Sequence, residues 1–254
     1  MNPLVTIITV SYNSENTIRR AIESVKNQTY KNIEYIVIDG NSNDLTMNII
    51  KKYAFISKIV SEKDKGIYDA MNKGLALANG DMIAFLNSDD HYIKENVVQK
   101  VVDNFLAYQV DAVFGDVGYF LPHKQAKLFR RYSSRNFSSD KLKNGLMPAH
   151  PSLFIRKKIF NIYGVFDSNF RIAGDFEFIA RIFKNNAIAY RYLPEIIVMM
   201  QLGGASTQGL RSTILLNKEI MFACKKNGIK TSWFNLLSRY PRKLIEFFYL
   251  KDID

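Results

Sequence analysis

Strand-like and helix-like segments alternate over the first 120 residues, and this alternation restricts the chain to an α/β fold. Residues 5–10 form a continuous β-branched run, as in a strand buried on both faces of a parallel sheet. Apolar residues at helical spacing follow over residues 15–27, and further strands are predicted at residues 34–38 and 82–86. The first turn, residues 11–14, has no glycine, which argues against the phosphate loops of dinucleotide-binding and P-loop proteins.

Carboxylates and hydroxyls stand where three of the predicted strands end. Asp39 closes the second strand, Ser61 and Glu62 follow a short strand near residues 57–60, and Asp89 follows the strand at residues 82–86. The carboxyl ends of parallel strands meet at one edge of a sheet, where open α/β sheets bind their ligands. We therefore expect these side chains to line one crevice.

The adjacent acids Asp89 and Asp90 follow an apolar strand, where burial would make their charges repel each other. A hard divalent ion such as Mg²⁺ or Mn²⁺ explains the pair, because it takes a few carboxylate oxygens together with substrate phosphates. By spacing alone the alternative is a solvated turn in which Asp90 caps the next helix. Both interpretations stay open at this level.

The charge balance favours an anionic partner. The chain has 35 Lys and Arg against 24 Asp and Glu, a formal net charge of +11, which suits a nucleotide, a lipid headgroup or nucleic acid. Nucleic acid is not expected, because no recognisable binding module accompanies the charge.

The single cysteine, Cys224, favours a reducing compartment. Without a charged leader, and with no apolar run near the roughly 20 residues of a membrane span, the sequence predicts a cytoplasmic protein.

Three later segments have ordinary structural interpretations, and two of them allow a functional one as well. Residues 121–143 carry seven basic side chains and one acid, as in a solvated loop or a mobile basic flap over an anionic substrate. Asp175 opens an amphipathic helix, where an aspartate is an ordinary N-cap. The aromatic and basic residues of 233–250 suit either the core or contact with an anionic membrane surface.

Four stretches together resemble the family 2 inverting glycosyltransferases, which have the nucleotide-diphospho-sugar transferase (GT-A) fold. They are residues 5–13, 36–46, 61–74 and 86–90, and the third (SEKDKGIYDAMNKG) is similar to a run of the bacterial polysaccharide branch. The resemblance implies a Rossmann-like, mostly parallel sheet flanked by helices. It also implies a GT-A domain over residues 1–210, with a nucleotide-sugar-binding half (1–120) and an acceptor half (121–210), and a helical extension over residues 211–254.

The resemblance assigns roles to individual residues. Asp175 matches the catalytic base on the acceptor side, and His150 either contacts the acceptor or is structural. Asp89 and Asp90 are the implied ligands of Mn²⁺ or Mg²⁺. Asn87 departs from the pattern, because it replaces the first acid of the Asp-x-Asp motif. The implied nucleotide-sugar contacts are Thr9, Ser11, Tyr12, Asn13, Asp39, Glu62, Asp64, Gly66, Ile67, Tyr68, Asn72, Asn87, Ser88 and Asp89.

The implied reaction is transfer of a single hexose, with inversion, from a UDP-linked sugar to a glycan or lipid-linked sugar in surface polysaccharide (lipopolysaccharide or capsule) biosynthesis. Chain polymerisation is not expected, because the Gln-x-x-Arg-Trp motif is incomplete: Ser212 follows Arg211. A catalytically inactive relative that binds nucleotide sugar stays open because of Asn87. A nucleotidyltransferase fits the sequence less well, because such enzymes need a glycine-rich, basic first loop. The first turn of this chain has neither property. The basic surface and aromatic tail are consistent with peripheral binding at the inner face of a cell membrane, and the sequence gives no signal for an oligomeric state.

Overall fold

The computed structural model describes residues 2–122, 128–203 and 209–239. Its strands are β1 (Val5–Ser11), β2 (Ile33–Asp39), β3 (Lys58–Ser61), β4 (Met82–Phe85), β5 (His91–Tyr92), β6 (Ala112–Phe120), β7 (Arg130–Tyr132), β8 (Leu153–Arg156) and β9 (Tyr190–Gln201). Its α-helices are α1 (Ile18–Lys26), α2 (Thr46–Ile50), α3 (Ile67–Leu77), α4 (Val97–Tyr108), α5 (Lys157–Tyr163), α6 (Gly174–Phe183), α7 (Leu210–Lys226) and α8 (Trp233–Leu237). Short 3-10 helices lie at Ser139–Asn144, His150–Ser152 and Lys184–Asn186.

The strands of the described residues form one sheet in the order β3-β2-β1-β4-β8-β6-β9-β5, with β7 paired to β6. In the first half of the chain the pairing is parallel, with β1 between β2 and β4, and β3 outside β2. Every residue of β1 is buried, which explains its unbroken β-branched sequence, since helices cover both faces of the sheet. The elements predicted for this half are present.

The second half of the sheet is mixed, which differs from the mostly parallel sheet suggested by the sequence. β8 runs antiparallel to both β4 and β6, whereas β9 runs parallel to β6. The described elements between β6 and β8 are β7 and two short 3-10 helices. Because the described residues of this connection contain no crossover helix that would carry the chain back to the opposite edge, β8 starts where β6 ends and runs in the opposite direction.

The segment that the sequence presents as a solvated loop or basic flap is partly a strand. β7 pairs with β6, and the Nε of Arg131 donates to the carboxylate of Asp116 at 2.7 Å. Asp116 is fully buried and also accepts from the N–H of Ser134 and the hydroxyl of Tyr192. The described part of this segment is therefore held against the sheet. The basic residues Lys124 and Lys127 lie outside the described residues.

Two apolar clusters lie on the two faces of the sheet. Side chains alternate between them along β1, so that Ile8 packs with α3 and α6 and Ile7 packs with α1 and α4. Ile220, Ala223 and Cys224 of α7 belong to the same cluster as α6. None of the helices in the described ranges combines the length and the apolar character needed to cross a membrane. The division of the chain at residue 210 stays a prediction.

Gly74 allows α3 to pack directly on β1 and β2. A Cβ at this position would lie 2.4 Å from Cγ2 of Ile8 and 3.3 Å from Cγ1 of Ile38, and both isoleucines are fully buried. Overpacking costs about 1–3 kcal/mol, while alanine gains about 1 kcal/mol in helix propensity. Because the added Cβ would clash with a fully buried isoleucine, we expect a cost in the upper part of this range, so that Gly74→Ala lowers the free energy of unfolding in urea by about 1–2 kcal/mol. A variant as stable as the wild type, or more stable, would show that α3 accommodates the methyl group.

Candidate functional site

Several strands end at one edge of the sheet, here called the carboxyl edge. The last residues of β1, β2, β3, β4, β6 and β9 lie there, and they are Ser11, Asp39, Ser61, Phe85, Phe120 and Gln201. Because β8 runs the other way, it begins at this edge, directly after His150–Ser152. The topology therefore brings together the polar residues that follow β4 and those that precede β8.

Asp39 links three strand ends. Its carboxylate is fully buried and accepts hydrogen bonds from the hydroxyl of Ser11 at 3.2 Å, the hydroxyl of Ser61 at 2.8 Å and the N–H of Ser42 at 2.9 Å. The hydroxyl of Ser42 is a further donor, at 2.5 Å. A ligand that contacts Asp39 has to replace one of these hydrogen bonds. Thr9 lies further from the edge, fully buried, where its hydroxyl accepts from the hydroxyl of Tyr35.

The turn after β1 presents an aromatic ring to solvent. Tyr12 is 64% exposed, and a Cβ added to Gly40 would lie 3.4 Å from its ring and 2.9 Å from Oδ2 of Asp64. Asn13 has a left-handed backbone (φ 47°), and its Oδ1 accepts from the N–H of Asn43 at 3.0 Å. This turn is thus bound to the turn after β2, and the Tyr12 ring is free to stack on a planar group.

The segment before α3 forms a network of charges centred on Lys73. Its Nζ lies 2.6 Å from Oδ1 of Asp64, 2.9 Å from Oε1 of Glu62 and 3.5 Å from Oδ2 of Asp69. The hydrogen bond to Asp64 raises the pKa of Lys73, so the lysine stays charged within this acidic group. Between these residues, the turn at Gly66 (φ 133°) and the 41% exposed Ile67 open α3.

Tyr68 and Asn72, one turn apart on α3, contact another part of the chain. Nδ2 of Asn72 donates to the carbonyl of Phe166 at 2.8 Å, and Oδ1 accepts from the N–H of Phe166 at 3.0 Å. The hydroxyl of Tyr68 lies 2.6 Å from the carbonyl of Ile172 and 3.2 Å from Oδ1 of Asp175. Both polar atoms of the Asn72 amide are therefore engaged with the backbone of Phe166.

The residues that follow β4 contain buried oxygen atoms with no hydrogen-bond partner. Asp90 is 1% exposed, and its Oδ1 and the Oδ1 of Asn87 are both without a partner. Burial, reinforced by the charge of Asp89, raises the pKa of Asp90 well above its usual value. Burial also raises the pKa of Asp89, against the opposing effects of Arg20 and His150. The hydroxyl of Ser88 is 2.9 Å from that of Ser14, which links this segment to the first turn.

His150 and Asp175 form a pair beside this segment. The Nδ1 of His150 lies 3.4 Å from Oδ2 of Asp175, and the Nε2 has no partner. Burial lowers the pKa of His150, although Asp175 and Asp89 both oppose this shift, so the imidazole is neutral at neutral pH. Asp175 is in the first turn of α6 and is not its cap, which is Ala173. Its Oδ1 accepts from the N–H of Phe176 at 2.8 Å.

Arg20 also belongs to this site, although it is not among the site residues predicted from the sequence. The guanidinium stacks 4.5 Å from the centre of the Phe120 ring and donates to Oε1 of Gln201 at 3.3 Å. Burial lowers the pKa of Arg20, while Asp89 and Asp90 act in the opposite direction. The one sequence feature that could have indicated a role for Arg20 is its position on α1, next to the apolar stripe and close to the end of the helix that starts at the carboxyl edge. The positive charge offsets part of the acidic pair.

Comparison with known proteins assigns this arrangement to a family. Residues 6–162 match the family model described as glycosyl transferase family 2. The chain belongs to glycosyltransferase family 2. A PGL/p-HBAD biosynthesis glycosyltransferase of Mycobacterium bovis is 28% identical over 224 residues, which cover 86% of this chain and 83% of the relative. An uncharacterized glycosyltransferase of Mycobacterium tuberculosis is 34% identical over 186 residues, 70% of this chain and 68% of the relative.

Solved structures share the fold at lower identity. S. aureus TarS (1–349) in complex with UDP-GlcNAc has a TM-score of 0.65 at 17% identity, over 83% of this glycosyltransferase and 60% of that structure. The mannosyltransferase PcManGT from Pyrobaculum calidifontis, in complex with GDP-Man and Mn²⁺, has a TM-score of 0.64 at 15% identity, over 98% of this chain and 70% of that structure. The predicted GT-A fold class is confirmed, and this chain spans less than two thirds of the TarS structure.

The residues after β4 of this glycosyltransferase fit a divalent ion whose ligands would come partly from the protein and partly from a substrate. Across the described parts of the chain, no three His, Cys, Asp or Glu side chains form a complete metal-binding group. The unpartnered Oδ1 atoms of Asn87 and Asp90, with Asp89 next to them, supply a few hard oxygen ligands. Mg²⁺ and Mn²⁺ commonly complete such a partial set with water and phosphate oxygens. The carboxyl edge of the glycosyltransferase thus combines the Asp175 carboxylate with candidate ligands for a cation.

Proposed function

We propose that this glycosyltransferase moves a single hexose, with inversion, from a UDP-linked sugar to a hydroxyl of a glycan or lipid-linked sugar in surface polysaccharide biosynthesis. The observation that carries the proposal is the placement of His150. It contacts the carboxylate of Asp175, and it directly precedes β8, which pairs with β4, the strand that leads into Asp89. The candidate base and the acidic segment after β4 therefore share a neighbour. A TarS structure with UDP-GlcNAc supports the choice of donor by analogy of fold.

Asp175 is the proposed base. Transfer with inversion in a single displacement needs a group that takes the proton of the acceptor hydroxyl while the new C1–O bond forms. The Oδ1 of Asp175 accepts from the N–H of Phe176 and lies 3.2 Å from the hydroxyl of Tyr68, which leaves Oδ2, on the side of His150, for the proton. The position of Asp175 in the first turn of α6 fixes its backbone beside His150. His150 contacts the acceptor in this proposal.

The nucleotide sugar occupies the carboxyl edge between β1 and β4. The exposed ring of Tyr12 stacks on the uracil, because an aromatic face in solvent is suited to a planar base. Asp89 and Asp90, with the Oδ1 of Asn87, hold Mn²⁺ or Mg²⁺. When bound, that ion supplies positive charge that stabilises the departing nucleotide diphosphate. The further proposed donor contacts are Ser11, Asn13, Asp39, Glu62, Asp64, Gly66, Ile67 and Ser88.

A donor screen tests this function. With water in place of the acceptor hydroxyl, we expect the purified protein to hydrolyse at least one of UDP-glucose, UDP-galactose and UDP-N-acetylglucosamine to UDP and free hexose, faster with Mn²⁺ than with EDTA. GDP-mannose serves as the comparison donor. Release from GDP-mannose alone would refute the uridine-linked donor.

A second candidate function is that of an inactive relative that binds nucleotide sugar. It is kept because Asn87 stands where the family pattern has an acid. Calorimetric binding of UDP without release from any donor would favour it.

A lipid-linked acceptor places the enzyme in the cytoplasm at the inner face of an anionic membrane. The exposed apolar side chains of α8 suit this placement, since Trp233, Phe234 and Leu237 are 49%, 83% and 53% exposed. Lys225, near the end of α7, and Lys230, in the turn before α8, are exposed as well. Aromatic side chains next to lysines bind anionic headgroup regions through both burial and charge. Residues 240–250 of the predicted membrane-binding tail lie outside the described residues.

We expect the double substitution Trp233→Ser and Phe234→Ser to weaken sedimentation with phosphatidylglycerol vesicles about tenfold or more. That ratio corresponds to losing ~1.4 kcal/mol or more of apolar burial. Ile162→Ser is the matched control, because Ile162 is 67% exposed but lies on α5. High salt should also release the wild type, as electrostatic attraction is screened. Vesicle binding that is equal in the double variant and the wild type would refute a membrane role for α8.

A further inference from the structure

Glu219 binds the segment that leads into α6. It lies on α7, and its carboxylate accepts hydrogen bonds from three consecutive backbone N–H groups, those of Arg171 at 2.9 Å, Ile172 at 2.9 Å and Ala173 at 2.8 Å. Ala173 is the N-cap of α6, and Asp175 follows two residues later. Three charge-assisted hydrogen bonds on one carboxylate hold a short backbone segment in a fixed place.

The same segment is held by α3 from another direction. The hydroxyl of Tyr68 donates to the carbonyl of Ile172 at 2.6 Å, and the amide of Asn72 makes two hydrogen bonds to the backbone of Phe166. The ring of Tyr68 also packs against Gly174, since a Cβ there would lie 2.7 Å from the ring. The three N–H groups of residues 171–173 are thus fixed by α7, and the carbonyl of Ile172 is fixed by α3. Its freedom to shift is small.

We propose that Glu219 is a positioning residue for the reaction, which holds residues 171–173 so that the Asp175 carboxylate meets the acceptor hydroxyl. The inference rests on the proposed function of Asp175. It adds a residue from α7, which lies beyond the part of the chain that matches the family model. Proton transfer requires the base within hydrogen-bond reach of the hydroxyl, and a displacement of about 1 Å costs roughly 100-fold in rate.

The substitution Glu219→Gln separates this role from a role in folding. Glutamine has the same shape but only one acceptor oxygen, and its NH₂ group would face a backbone N–H. The rest of α7 stays in place, because Ile220, Ala223 and Cys224 are buried in the core and Lys226 pairs with Asp167 at 2.7 Å. The segment before α6 is therefore the part that shifts.

The test compares Glu219→Gln with Lys218→Gln, an exposed neighbour on α7. UDP release is measured with the donor that the wild type cleaves, together with UDP affinity by calorimetry and the melting temperature. In Glu219→Gln we expect kcat to fall about 10–100-fold, as for residues that orient a ligand through a hydrogen bond. The donor KM and the UDP affinity should stay within about twofold. Lys218→Gln should match the wild type.

Tyr68→Phe is the second variant, because it removes the hydroxyl on the other side of the segment and leaves the ring against Gly174. We expect the same fall in kcat at an unchanged donor KM. Wild-type kcat in Glu219→Gln would overturn the inference, and so would a loss of UDP affinity that matches the loss of kcat. A wild type that cleaves no donor refutes the proposed function and this inference with it. UDP release by the wild type with unchanged kcat in Glu219→Gln refutes this inference alone.

Discussion

Asp175→Asn should reduce kcat for UDP release by about 10²- to 10⁴-fold, the range that a positioned general base contributes. The asparagine keeps the shape and can still accept from the N–H of Phe176 and the hydroxyl of Tyr68, so the fold should be retained. What is lost is the second carboxylate oxygen, next to His150, which takes the proton in this mechanism. Initial rates and UDP calorimetry on the same preparation measure the two effects separately.

The matched control is Asp140→Asn, which removes an exposed aspartate from the 3-10 helix Ser139–Asn144. It should have the rate of the wild type. If Asp175→Asn retains more than about one tenth of the wild-type kcat while it remains folded, another group is the base. The unpartnered Nε2 of His150 would be the next candidate.

Asp89→Asn should reduce kcat/KM for the donor about 100-fold or more and remove the response of UDP binding to Mn²⁺. Charge that stabilises a leaving group in a water-poor site is worth about 2.7–4 kcal/mol per interaction, which sets this scale. Stability should not fall with activity, since burial raises the pKa of Asp89 and of its neighbour Asp90, and the ionised pair is therefore unfavourable in the fold. Calorimetry with UDP, with Mn²⁺ and with EDTA, and thermal melting provide the two readouts.

A melting temperature equal to or above that of the wild type, together with lost Mn²⁺ response, would support the role of Asp89 as a ligand. Glu195→Gln is a suitable control, because Glu195 pairs with Lys100 at 2.6 Å on another part of the sheet. If UDP binds Asp89→Asn and the wild type with the same dependence on Mn²⁺, the acidic segment after β4 does not hold the ion.

The first half of the fold followed from the sequence because its signals are local. The β-branched run of β1 and the apolar spacing of α1 reflect burial against neighbours on both faces of the sheet. The direction of β8 is different, since it depends on whether the chain crosses the sheet between β6 and β8. No local pattern records that choice. Helix α5 was not predicted for another reason: its seven residues include only two buried apolar positions, Ile159 and Phe160, which are too few to show a helical period.

The crevice was predicted from strand ends, and the topology explains why Asp39, Ser61 and Asp89 share one edge of the sheet, whereas His150 was suggested only by the family resemblance. The carboxyl ends of parallel strands share an edge whatever their side chains are. The partners of each side chain could not be read from the sequence. Tyr68 and Asn72 were expected at the donor, yet their hydrogen bonds run to Ile172 and Phe166, about a hundred residues further along the chain. Such contacts follow from tertiary packing and have no spacing that marks them.

The central claim is a single displacement at the carboxyl edge, with Asp175 as base and not as nucleophile. The anomeric configuration of the hexose released from an α-linked UDP-sugar tests it most directly. Proton NMR at early times, before the product mutarotates, distinguishes the two anomers. We predict that the wild type with Mn²⁺ releases the β-anomer first. Release of the α-anomer would contradict the claim, because it requires two successive displacements or attack from the same face.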